Sequence, residues 1–134
     1  MKRTLLLTMV LALVMIWTLA AAEQAQDVLT GKWTQVGVEG SYMTISSTSG
    51  KYTAIYIMGE TTCFLNDVQI SGSTVVMKCR YSIRTGFTTD MVLNLTLSDD
   101  KILLTGTKWE VTNWVAKDGI AMQAEDNNDV VFTK

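Results

Sequence analysis

Neither histidine nor proline occurs among the 134 residues, and there are only two cysteines. Without histidine the chain lacks the usual general base, the commonest metal ligand and any Ser-His-Asp arrangement. Without proline nothing forbids a ladder of backbone hydrogen bonds from running uninterrupted along its strands. Charge is sparse as well: 18% of the residues are charged, the formal net charge is -2, and no cluster of Lys and Arg follows the extreme N-terminus. Such a chain has no field to attract a nucleic-acid backbone, which excludes nucleic acid as a partner. What is present is 48% hydrophobic, the balance of a single globular domain rather than of a disordered or fibrous protein.

The one long hydrophobic run lies at the start. Lys2 and Arg3 precede an apolar stretch over 5–19, then Ala20, Ala21 and Ala22, then polar Glu23 and Gln24. This is the order of an export signal. The expected organisation is a signal peptide over 1–22 and a domain over 23–134, periplasmic or extracellular, with no membrane span once the signal is removed. The rival reading is a retained anchor, because at about 1.5 Å per residue the apolar run is almost long enough to cross a bilayer.

Export brings the two cysteines, Cys63 and Cys79, into an oxidising compartment, where a disulfide is expected. Turn residues Ser71, Gly72 and Ser73 lie between them, and a hairpin folded about 70–72 sets Cys63 opposite Cys79. The expected bond is cross-strand and structural, since the CxxC spacing of a redox pair is missing.

Short strand-like runs, each broken by Gly, Ser, Asn or Asp, fill the rest: 32–37, 42–47, 52–58, 62–70, 74–83, 88–97, 101–109 and 130–133. In 91–97 Met91, Leu93, Leu95 and Leu97 alternate with Val92, Asn94 and Thr96, so one face is dry and the other wet. A two-residue turn at Asp99 and Asp100 would place Leu97 beside Ile102 and Leu95 beside Leu104. Helical periodicity is confined to 115–124. A meander of eight strands removes its exposed edges by closing, so the expected fold is an all-β, eight-stranded antiparallel up-and-down barrel.

The triplet Gly31-Lys32-Trp33 on a first strand, followed by a meander, resembles the lipocalin-like (calycin) families. The resemblance implies a structural role for Gly31 and Trp33 at one end of the barrel, with Lys134 as a cation over the Trp33 ring. Within that group, "LTGKWT", "MTI" at 43–45 and "GKYTAIY" at 50–56 resemble the first three strands of avidins. Ser41 and Tyr56 fall where polar ligands of biotin are implied. Gln35 stands where an Asn belongs, Leu95 where a Trp belongs and Val130 where an Asn belongs, while Asp100 and Ile102 replace small hydroxyl residues. A site for a buried urea loses most of its affinity when its donors become apolar groups. The resemblance therefore implies the barrel without the biotin site.

No pair of carboxylates is placed for hydrolysis, and no cofactor, metal or enzymatic activity is expected. The run "EDNND" over 125–129 lacks the spacing of a calcium loop and reads as a solvated loop. The echo "LTGTKW" at 104–109 reads as a second Gly easing a barrel corner beside a Trp. Tyr42, Tyr56, Trp109 and Trp114, with Tyr52, are candidates to line a barrel mouth, because a ring with a polar tip suits a mostly apolar small-molecule site. The expected function is that of a monomeric exported barrel holding a small apolar or amphipathic ligand. The alternative is a protein-binding module, such as an inhibitor of a secreted hydrolase. That reading rests on a resemblance to small bacterial metalloprotease inhibitors, with residues 23–28 as the inserted arm.

Overall fold

The computed structural model describes residues 28–134, so the expected signal segment lies outside the described residues. Gly31–Lys134 form one compact unit of β1 (Gly31–Gln35), β2 (Ser41–Thr48), β3 (Lys51–Met58), β4 (Thr61–Leu65), β5 (Asp67–Ser71), β6 (Thr74–Tyr81), β7 (Phe87–Leu97), β8 (Leu103–Val115) and β9 (Ala121–Thr133). Neighbours run antiparallel in the order β4-β3-β2-β1-β9-β8-β7-β6-β5. The sheet is an up-and-down barrel closed almost completely.

There are nine strands where eight were expected. The expected strand over 62–70 is divided at Asn66: its first part pairs with β3, from Met58↔Thr61 to Ala54↔Leu65, and its second with β6, from Asp67↔Lys78 to Ser71↔Thr74. The two outermost strands of the sheet are thus consecutive in the chain. One bent segment carries the backbone across the line of closure, and β4 comes to lie against β6 with no ladder between them.

Alternation decides what fills the inside. Trp33, Met43, Ile45, Ala54, Leu65, Val75, Met77, Met91, Leu93, Leu95, Leu104, Val130 and Phe132 are buried at every second position of their strands. The β7–β8 ladder pairs Leu97 with Leu104 and Leu95 with Gly106, two residues away from the expected register, because the connection spans 98–102 with Lys101 at φ 65°. A slip of two preserves the face of every side chain, so the leucines stay inside, while Ile102 is left exposed.

The stretch 115–124, where helical periodicity is read from the sequence, is strand and turn. Thirteen pairs join β8 to β9, from Leu103↔Thr133 to Val115↔Ala121, and the chain reverses where Ala116 N–H donates to Ile120 O at 2.8 Å and Gly119 N–H to Ala116 O at 2.9 Å. A ladder of that length overrides any local preference for helix. The run 125–129 is likewise strand, not loop. It belongs to the part of β9 that extends past β1, since β1 pairs with β9 only at Thr34↔Thr133 and Gln35↔Phe132.

Among the described glycines Gly106 is the one pressed against backbone: a Cβ there would stand 1.9 Å from Asn94 O. At the same end, Lys134 Nζ lies 5.4 Å from the centroid of the fully buried Trp33 ring.

Candidate functional site

The interior has two halves. At the end holding Trp33, Leu95, Leu104 and Val130 the fully buried residues are apolar. Toward the other end the inward positions become polar: Gln35 on β1, Ser41 on β2, Tyr56 on β3, Cys63 on β4, Cys79 and Tyr81 on β6, Thr89 on β7, and Lys108, Glu110 and Thr112 on β8.

These side chains form connected pairs. Tyr81 Oη donates to Glu110 Oε1 at 2.5 Å, and Lys108 Nζ lies 3.2 Å from Glu110 Oε2, with the two charged side chains only 17% and 14% exposed. Tyr56 Oη donates to Gln35 Oε1 at 2.6 Å, and the Thr89 and Thr112 hydroxyls are 2.8 Å apart. Among the described residues no buried side-chain N or O lacks a partner. Burial pushes the Tyr56 phenol well above its ordinary range, and the neighbouring charge of Glu110 adds to the effect. Tyr81 is raised first by burial and then by its bond to Glu110. Glu110 also acts on Cys63 and Cys79, so one carboxylate lies near the centre of the group.

The loops at this end are apolar where they meet solvent: Val36 and Val38 between β1 and β2, Ile83 between β6 and β7, and Ile120 at the β8–β9 turn are all exposed. Phe87 and Trp114, opposite one another in the β7–β8 ladder, stack at 5.5 Å and 16°, and Arg84 Cζ lies 3.8 Å from the Phe87 centroid. The arrangement is an apolar rim, a polar cluster beneath it and an apolar floor.

The four aromatics singled out from sequence do not meet in one place. Tyr56 belongs to the cluster, buried and edge-on to Phe132 at 5.5 Å. Trp114 stands at the lip. Tyr42 lies between inward Ser41 and Met43 and therefore faces outward, under Lys32 Nζ at 4.2 Å. Trp109 is outward for the same reason and donates its indole N–H to Glu125 Oε1 at 2.5 Å. Of the positions taken from the avidin resemblance, Gln35, Ser41 and Tyr56 share the inner face of three neighbouring strands, whereas Leu95 and Val130 are part of the floor.

Cys63 and Cys79 are both free thiols, so the expected disulfide is not formed. The register also differs from that expected. One step beyond Asp67↔Lys78 the β5–β6 ladder would put Asn66, not Cys63, opposite Cys79. The hairpin turns later than a fold about 70–72 requires, because Gly72 at φ 59° takes the turn position between Ser71 and Thr74.

Lys108, Glu110 and Tyr81 were not foreseen. The signal was available in the parity of β8, where every second residue from inward Leu104 leads to Gly106, Lys108, Glu110 and Thr112. Among the described residues there is no group of three or more His, Cys, Asp or Glu placed to hold a metal ion, and no helix is long and apolar enough to cross a membrane. No family model matches the chain, nor does any curated protein or solved structure.

Proposed function

We propose that this chain is an exported carrier or sensor barrel that takes a small amphipathic molecule at its polar end. The observation that carries the reading is the inward cluster around Glu110, set between an apolar rim and an apolar floor. A ligand entering there places its polar group against Tyr56, Tyr81, Lys108 and Glu110 and its apolar part against the floor side chains, the usual division of labour in small-molecule sites. Donors and acceptors are both present, so the head group is one that hydrogen-bonds in both senses, such as an alcohol, an amide or an amine. Protein recovered from its exporting host and sprayed natively should carry a stoichiometric adduct. Tryptophan fluorescence should answer to amphipathic additives, and Glu110→Gln should weaken that response. A barrel that stays free of adduct and silent to such a panel defeats the reading.

A protein partner is the second reading, favoured by the part of β9 over 121–129, which is exposed along its whole length. Pull-down from the host's secreted fraction separates the two: a stoichiometric protein lost on shortening the β8–β9 turn supports a partner, and a small molecule alone supports a carrier.

A further inference from the structure

Where the barrel closes, β4 and β6 lie side by side without ladder pairing: among the described residues β4 pairs with β3 alone, and β6 with β5 and β7. Cys63 and Cys79 occupy inward positions on the two strands that flank that seam, Cys63 buried and Cys79 half-buried. We propose that the seam is an oxidation site, at which a Cys63–Cys79 disulfide joins β4 to β6 and completes closure where the backbone hydrogen bonds stop. Such a bond is no cross-strand staple of a hairpin. It ties together two strands that the chain joins through Asn66 and β5, and it holds whether or not the polar end takes a ligand.

The two sulfurs have unequal parts. Cys63 is 1% exposed while Cys79 is half-buried, so a small disulfide oxidant reaches Cys79 first. The interaction of the two thiols lowers Cys79 and raises Cys63, which leaves Cys79 as the attacking thiolate. Cys79 Sγ attacks one sulfur of glutathione disulfide and expels one glutathione thiolate, which is protonated. Cys63 then loses its proton to solvent and attacks Cys79 Sγ, expelling the second thiolate. The two protein thiols are oxidised by two electrons, one small disulfide is reduced to two thiols, and the protons lost balance those gained.

The full chain, equilibrated with glutathione disulfide at neutral pH, should lose about 2 Da with no dimer formed. Before oxidation a thiol reagent should label Cys79 well ahead of Cys63, and after it neither should label. Amide exchange in β4 and β6 should slow by about tenfold on oxidation, as local opening of the seam is suppressed. The Cys63→Ser/Cys79→Ser variant should show no such response to the oxidant. Because the mass and labelling readings use the unaltered chain, they stand even if that variant folds poorly. Two thiols still free at equilibrium, a glutathione adduct persisting at Cys79, disulfide-linked dimers, or exchange in β4 and β6 unchanged by oxidation would each overturn the proposal.

Discussion

Tyr56 and Gln35 meet inside the barrel through a hydrogen bond of 2.6 Å that joins β3 to β1 across β2. The phenol is the donor, and its ring is fully buried against Phe132. Tyr56→Phe keeps the ring contact and removes only the donor, leaving the Gln35 amide oxygen without its partner. The expected loss of stability is about 1–2 kcal/mol, read as a lower urea midpoint at unchanged slope.

The alternation in 91–97 already placed Met91, Leu93, Leu95 and Leu97 inside, because a half-buried strand can satisfy its hydrophobic residues in only one way. Asn66 gave no comparable signal. An Asn within a strand-like run looks the same whether the strand keeps its partner or exchanges β3 for β6, a choice made by closure of the whole sheet. The echo of Gly and Trp had the opposite fault, since it suggested a likeness that one residue destroys. Trp33 is two positions after Gly31 and points inward, whereas Trp109 is three after Gly106 and points outward to Glu125. The polar end escaped notice because β8 and β9 continue well beyond inward Leu104, Val130 and Phe132, held by backbone pairing that side-chain pattern does not report.

Gly106 offers a sharp test of the packing. A methyl group there meets backbone, Asn94 O at 1.9 Å, rather than the end of a movable side chain, so relief requires β7 and β8 to separate. Gly106→Ala should cost about 3 kcal/mol, the upper range for overpacking. A thermal midpoint within a degree or two of the unaltered protein would contradict this approach of the two strands.

Lys108 and Glu110 should behave as a coupled pair. With both side chains mostly removed from solvent, Glu110→Gln preserves an acceptor for Tyr81 but strands the Lys108 ammonium, at a cost of about 2 kcal/mol after allowance for the residual exposure. Lys108→Met in the Glu110→Gln background should recover most of that loss. A double-mutant cycle closing with no coupling would place both charges effectively in water.

Alkaline stability follows from the two inward phenols, Tyr56 buried and Tyr81 half-buried. Tyr56 and Tyr81 are both raised in the folded chain, by burial first, while an unfolded tyrosine titrates near pH 10. A group raised on folding holds its proton more tightly in the folded state, so its contribution is complete below the unfolded value and is lost as pH rises beyond it. Between about pH 10 and about pH 12 each phenol should remove stability at about 1.4 kcal/mol per pH unit. Urea midpoints followed from about pH 8 upward should therefore hold level and then fall with the slope of two protons. In Tyr81→Phe the slope should halve, and with Tyr56→Phe added the contribution of this pair should vanish. Tyrosinate absorbance gives an independent reading, for these two rings should ionise only as the barrel opens, with absorbance and unfolding rising together. Ionisation of both phenols in a still-folded barrel near pH 10 would show that water reaches the cluster freely, and the polar end could not then serve as a secluded site.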